Sequence, residues 1–146
     1  MGIFDSINIS ASALTAEKTR IDIINKNIAN VNTTRSTGGL PYRRQVVVFE
    51  ENKKTPFSTY LDRYSNKFNG EGVAISEIVE DETPFKLKYE PGHPDADEDG
   101  YVMLPNVEMV NEMVDMIDAQ RAYEANITAM NATKSMLMKA LEIGRR

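Results

Sequence analysis

The chain has 146 residues, enough for one ordinary domain or for long elements carrying an insert, and 41% of them are hydrophobic. Its 17 basic and 22 acidic side chains leave a formal charge of -5, which repels nucleic-acid phosphates and anionic lipid unless a basic patch is segregated, and no such patch stands out beyond Arg43-Arg44. The lack of cysteine excludes disulfides, thiolate metal sites and a cysteine nucleophile, and no run approaches the roughly 20 apolar residues of a membrane helix.

At the N-terminus, Ala11-Ser12-Ala13 has the look of a signal-peptidase site, but no Lys or Arg precedes it and Asp5 interrupts the apolar stretch, so no cleaved signal peptide is expected. Ile7, Leu14, Ile21 and Ile28 recur every seven residues, with Ile3, Ile24 and Val31 supplying most of a second line. This is an amphipathic helix with a coiled-coil seam, ending before the turn cluster Thr33 to Gly39. Asp5 or Ser6 can cap it.

Between about residues 38 and 103 the period shortens. Tyr42 to Glu50 contains Val46-Val47-Val48, Gly72 to Val79 alternates around Val73 and Ile75, and Phe85, Leu87 and Tyr89 alternate with Lys86 and Lys88, which predicts three short strands. Asn52 to Asn69 reads as loop. In "HPDADEDGYV", Asp95, Asp97 and Asp99 followed by Gly100 begin as an EF-hand calcium loop begins, yet position twelve is Asn106 instead of the bidentate glutamate. These aspartates are the only metal candidates, and a calcium-binding helical-hairpin adaptor is the alternative function they support. The expectation is no metal and no cofactor, with the stretch serving as a solvated turn.

The last third is the most regular. Met109, Met113, Met116, Gln120, Tyr123, Ile127, Met130, Lys134, Leu137 and Leu141 alternate four and three residues apart, which predicts a long helix starting at Pro105-Asn106, with Asn106 as its cap, and ending at Gly144. A second stripe of Ala122, Ala125, Ala129, Ala132 and Met136 lies on roughly the opposite face, where an ordinary coiled coil would carry charge. Two faces therefore want burial, and the chain contains one other long amphipathic segment to cover them. Catalysis has little support: the single His93 sits in a Gly-Pro turn, and neither a phosphate loop nor a nucleophile elbow occurs.

Four separated segments, "NKNIANVNTTR", "GGLPYRRQ", "YEPGHPDADEDGYVMLPNV" and "EMVDMIDAQRAYEANITAMNATKSMLMKALEIGR", resemble the FlgC family of bacterial flagellar rod proteins over essentially the whole chain. Ala29-Asn30 with Asn32 and Thr33 is similar to a motif shared by rod and hook axial proteins. The resemblance implies an α+β, mainly α fold: an inner helical domain from residues 1–36 and 104–146, whose helices pair as an antiparallel coiled coil, and a small β-rich insert at 37–103. It also implies a non-enzymatic structural subunit of the proximal rod in the basal body. Such a subunit would be exported through the flagellar type III apparatus and assembled in the periplasm with copies of itself and with other proximal-rod, base-adaptor and distal-rod proteins. The tube so built would transmit torque for motility and continue the export channel, with no nucleic acid, small-molecule substrate or membrane insertion involved.

Overall fold

The computed structural model describes residues 3–36, 38–52 and 72–144. In chain order these form helix α1 (Ile3–Ala29), strands β1 (Gln45–Glu51), β2 (Val73–Glu80), β3 (Lys86–Tyr89) and β4 (Tyr101–Leu104), and helix α2 (Met109–Ile143). The mainly helical α+β class expected from the sequence is found. Apart from Asn52, the expected loop at Asn52 to Asn69 lies outside the described residues. Contacts gather into two compact units, one made of residues 1–19, 49–76 and 119–146, the other of 20–48 and 77–118.

α1 is closed by Asn30 and Thr33. The Asn30 side chain donates from Nδ2 to the Lys26 carbonyl (2.8 Å), which also accepts the Asn30 amide (3.2 Å), and the Thr33 hydroxyl donates to Asn30 Oδ1 (3.2 Å). Ala29 and Asn32 remain exposed. The start of α2 differs from expectation. Asn106 does not cap it: the helix begins at Met109, the Glu112 amide donates to the Glu108 carbonyl, and the side chain of Asn106 is used elsewhere. Its Nδ2 reaches the carbonyls of Asp81 and Thr83, and its Oδ1 accepts the Arg44 amide at 2.8 Å.

β1 pairs with β2 and β3 pairs with β4 in separate two-stranded sheets. β4 is additional to the three strands that the sequence predicts. It joins β3 antiparallel, with Leu87 opposite Met103 and Tyr89 opposite Tyr101. The turn between them is set by Asp97, whose Oδ1 accepts the amides of Asp99 (3.1 Å) and Tyr101 (2.7 Å), and by Gly100 at φ +81, where a Cβ would come within 3.0 Å of the Tyr89 ring.

Candidate assembly surface

In the second unit, α1, β1 and α2 meet at a buried carboxylate. Glu112 has no exposed surface, and an ionised carboxylate at such depth is tolerated only when paired and hydrogen-bonded. Arg44 Nε donates to Glu112 Oε1 (2.5 Å) and Asn27 Nδ2 donates to Glu112 Oε2 (3.0 Å). Asn27, 1% exposed, uses both polar atoms of its side chain: Nδ2 also donates to the Gln45 carbonyl, and Oδ1 accepts from the Tyr42 hydroxyl (2.8 Å) and the Gln45 amide (3.0 Å). Arg44 reaches further, to Asp115 Oδ2 at 3.1 Å and Asp81 Oδ2 at 3.6 Å. Arg20 also lies 3.7 Å from Asp115. Pairs 20–115 and 27–112 run in opposite numerical directions, so the helices are antiparallel here.

The electrostatics follow from this geometry. Burial alone would lower the pKa of Arg44, but the hydrogen bond to Glu112 and the charges of Glu112, Asp115 and Asp81 outweigh it and raise the pKa above its ordinary value. The Tyr42 phenol is pushed up by burial first, then by the charges of Glu112 and Glu80. The Asp81 carboxyl is held down, chiefly by the Thr83 amide donating to it at 3.0 Å; burial opposes this, and the Thr83 hydroxyl and Arg44 lower it further.

The helix faces turned inward are unlike the expected seam. Among the described residues seven helix positions are buried, Ser10, Ala16, Ile24, Asn27, Glu112, Ala119 and Thr133, and all but Ile24 are small or polar. In the first unit the hydroxyls of Ser6 and Thr133 approach to 3.4 Å. The large apolar residues sit at the flank or outside. Of the sequence-derived seam, Ile7, Leu14, Ile21, Ile28, Met116, Tyr123, Met130 and Leu137 are half-buried, whereas Met109, Met113, Ile127 and Leu141 are exposed. Gln120 and Lys134, which the repeat places in the seam, are exposed too. On the alanine face, Ala122 is half-buried and Ala125, Ala129, Ala132 and Met136 are open.

The acidic loop is built as a turn. Asp95 pairs with Arg35 (2.9 Å) and accepts from the Thr34 hydroxyl (2.9 Å), which fastens the loop to the segment after α1, while Asp97 is committed to its own turn. The aspartates therefore face different partners, and no group of three or more His, Cys, Asp or Glu able to hold a metal ion is gathered among the described residues.

Similarity to known proteins decides the family. Residues 7–35 match the model for flagella basal body rod proteins, and residues 98–143 match that for the C-terminal part of flagellar basal body rod FlgEFG proteins. Over nearly its full length the chain is 50% identical to the flagellar basal-body rod protein FlgC of Bacillus subtilis, covering 99% of this chain and all of the relative. It is 49% identical to that of Borreliella burgdorferi (98% of each chain) and 38% identical to that of Escherichia coli O157:H7 (99% and 100%). The chain belongs to the FlgC family of flagellar basal-body rod proteins. Membership makes it a structural rod subunit, and the two matched segments are those that build the helix pair.

Sequence reasoning misses Asn27, Arg44 and Glu112 as a group. Asn27 lies inside the segment "NKNIANVNTTR" and Arg44 beside Arg43, but Glu112, which joins them, is 85 and 68 residues away. Replacing Arg44 by Met should cost about 3–5 kcal/mol in urea unfolding of the purified chain, because Glu112 is left charged and unpaired; Arg44→Met with Glu112→Leu should recover most of it. A pH dependence follows from Asp81. Its folded pKa lies below its unfolded one, so its contribution is complete above the ordinary carboxylate range and is lost as pH falls through the folded pKa. Thermal melts should therefore show wild type more stable than Asp81→Asn at neutral pH, with the gap closing as pH drops well below about 4.

Proposed function

We propose that the chain is a subunit of the proximal rod, the segment between the flagellar membrane ring and the distal rod, and that its terminal helices assemble with those of neighbouring copies into the tube wall. The observation that carries this is the inversion of α2: its deepest positions are Glu112, Ala119 and Thr133, while Ile127, Met136, Met138, Leu141 and Ile143 are left 38–77% exposed. Burying such a face on a neighbour is favoured by roughly 25 cal/mol per Å² of apolar area. The alanines at 125, 129 and 132 allow another helix to come close.

Torque transmission and continuation of the export channel follow as properties of that tube. Packed helices resist sliding because sliding would uncover apolar surface on each subunit. Passage through the type III export apparatus without a cleaved signal peptide, a periplasmic site of assembly, and partnership with base-adaptor and distal-rod proteins complete the reading. The family relationship supports these, since the relatives are flagellar basal-body rod proteins by name.

Ala129→Glu tests the reading. The position is exposed, so the free chain should keep its stability to within about 0.5 kcal/mol. The variant should be exported normally yet fail to enter basal bodies, leaving cells non-motile. Normal motility would contradict the proposal.

A further inference from the structure

The methionines of α2 differ widely in exposure. Met136 and Met138 are 62% and 55% exposed, whereas Met116 and Met130 on the same helix are half-buried. A thioether is oxidised according to how openly its sulfur meets the oxidant, and thiolates compete for that oxidant where a chain has them. This chain has no cysteine, so methionine is the sulfur that a hydroperoxide meets.

The position of the two side chains gives their oxidation a consequence. Met136 lies one turn beyond Ala132 and two turns beyond Ala129, on the face where Ala125, Ala129 and Ala132 are open, so it is the long side chain at the end of a stripe of methyl groups. Met138 stands on another side of the same turns with Leu141, three positions on and 65% exposed. Oxygen transfer from a hydroperoxide forms an S–O bond and breaks the O–O bond. The thioether loses two electrons to become the sulfoxide, and the hydroperoxide is reduced to an alcohol or, for hydrogen peroxide, to water. On an exposed helix face the new oxygen stays hydrated, and the fold is unaffected. Beneath a neighbouring helix it would be an acceptor without a donor, which opposes burial of that face.

We propose that Met136 and Met138 are reversible oxidation sites that hold the free subunit out of the rod for as long as they carry the sulfoxide oxygen. A thiol-dependent sulfoxide reductase restores them: two thiols become a disulfide, the sulfoxide returns to the thioether and its oxygen leaves as water. This use of the two side chains rests on the reading of the outer face of α2 as a surface between subunits, and it adds a chemical state that closes that surface.

The purified chain is titrated with hydrogen peroxide and followed by fragment-ion mass spectrometry, which resolves each methionine. Sulfoxide is expected at 136 and 138 before 116 and 130, with the thermal midpoint unchanged at that stage. In cells, Met136→Gln with Met138→Gln places polar groups at both exposed positions; this pair should be exported yet lost from purified basal bodies, whereas Met136→Leu with Met138→Leu should enter them. After a brief exposure of wild-type cells to hydrogen peroxide, sulfoxide at 136 and 138 should be found in the unincorporated chain and be missing from the chain in basal bodies. Oxidation of 116 and 130 as fast as 136 and 138, entry of the Gln pair in normal amount, or sulfoxide equally abundant in basal bodies would overturn these sites and leave the rod assignment standing. Basal bodies that lack the Leu pair, from motile cells, would overturn both.

Discussion

A carboxylate with no exposed surface has to meet its counter-charge inside the fold, and the organisation of the second unit depends on that requirement at Glu112. Its cation, Arg44, comes from the residue before β1 and its neutral partner, Asn27, from the last turn of α1. The helix pairing in this unit therefore shares its polar partners with the segment leading into β1. Asn27 also accepts from the Tyr42 hydroxyl and the Gln45 amide, and Asn106 accepts from the Arg44 amide, so the backbone leading into β1 is held from both sides. Such polar networks are demanding, because each member left unsatisfied costs more than an apolar replacement would.

Placing polar and small residues in the helix pairing has a consequence outside it. The buried positions of α1 and α2 are Ser10, Ala16, Ile24, Asn27, Glu112, Ala119 and Thr133, so most of the large apolar side chains of α2, among them Val110, Met113, Val114, Ile117 and Leu141, are left exposed. Small side chains inside permit a close approach of the two helices, and large ones outside are available to neighbours. On the proposed reading, burial of those side chains on a neighbour would favour incorporation, while the hydrogen bonds among Asn27, Arg44 and Glu112 fix which helix positions meet within the chain.

The helices and three of the strands are legible in the sequence because the signals for them are local. The four-and-three spacing from Met109 to Leu141 and the β-branched run Val46 to Val48 state their period within a few residues. β4 is hidden because Tyr101 to Leu104 is short and directly follows an aspartate-rich turn, and its identity as a strand comes from β3. The pairing face is hidden for a different reason. Apolar periodicity identifies which residues want burial but not in which interface, so the line through Met113, Gln120 and Ile127 reads as the seam of the pair, whereas Glu112, Ala119 and Thr133 occupy its centre. Nothing local distinguishes a buried Glu from a solvated one. Its depth is set by Arg44 and Asn27, which are remote in sequence.

The central claim is that the outward apolar face of α2 is a surface between subunits. A cryo-EM map of intact basal bodies, at a resolution that shows side chains, tests it most directly. The account predicts that Ile127, Met136 and Leu141 pack against helices of neighbouring rod subunits while Glu112 keeps Arg44 and Asn27 of its own chain. A map in which those three side chains face open solvent, or in which Glu112 takes its cation from another subunit, would contradict it.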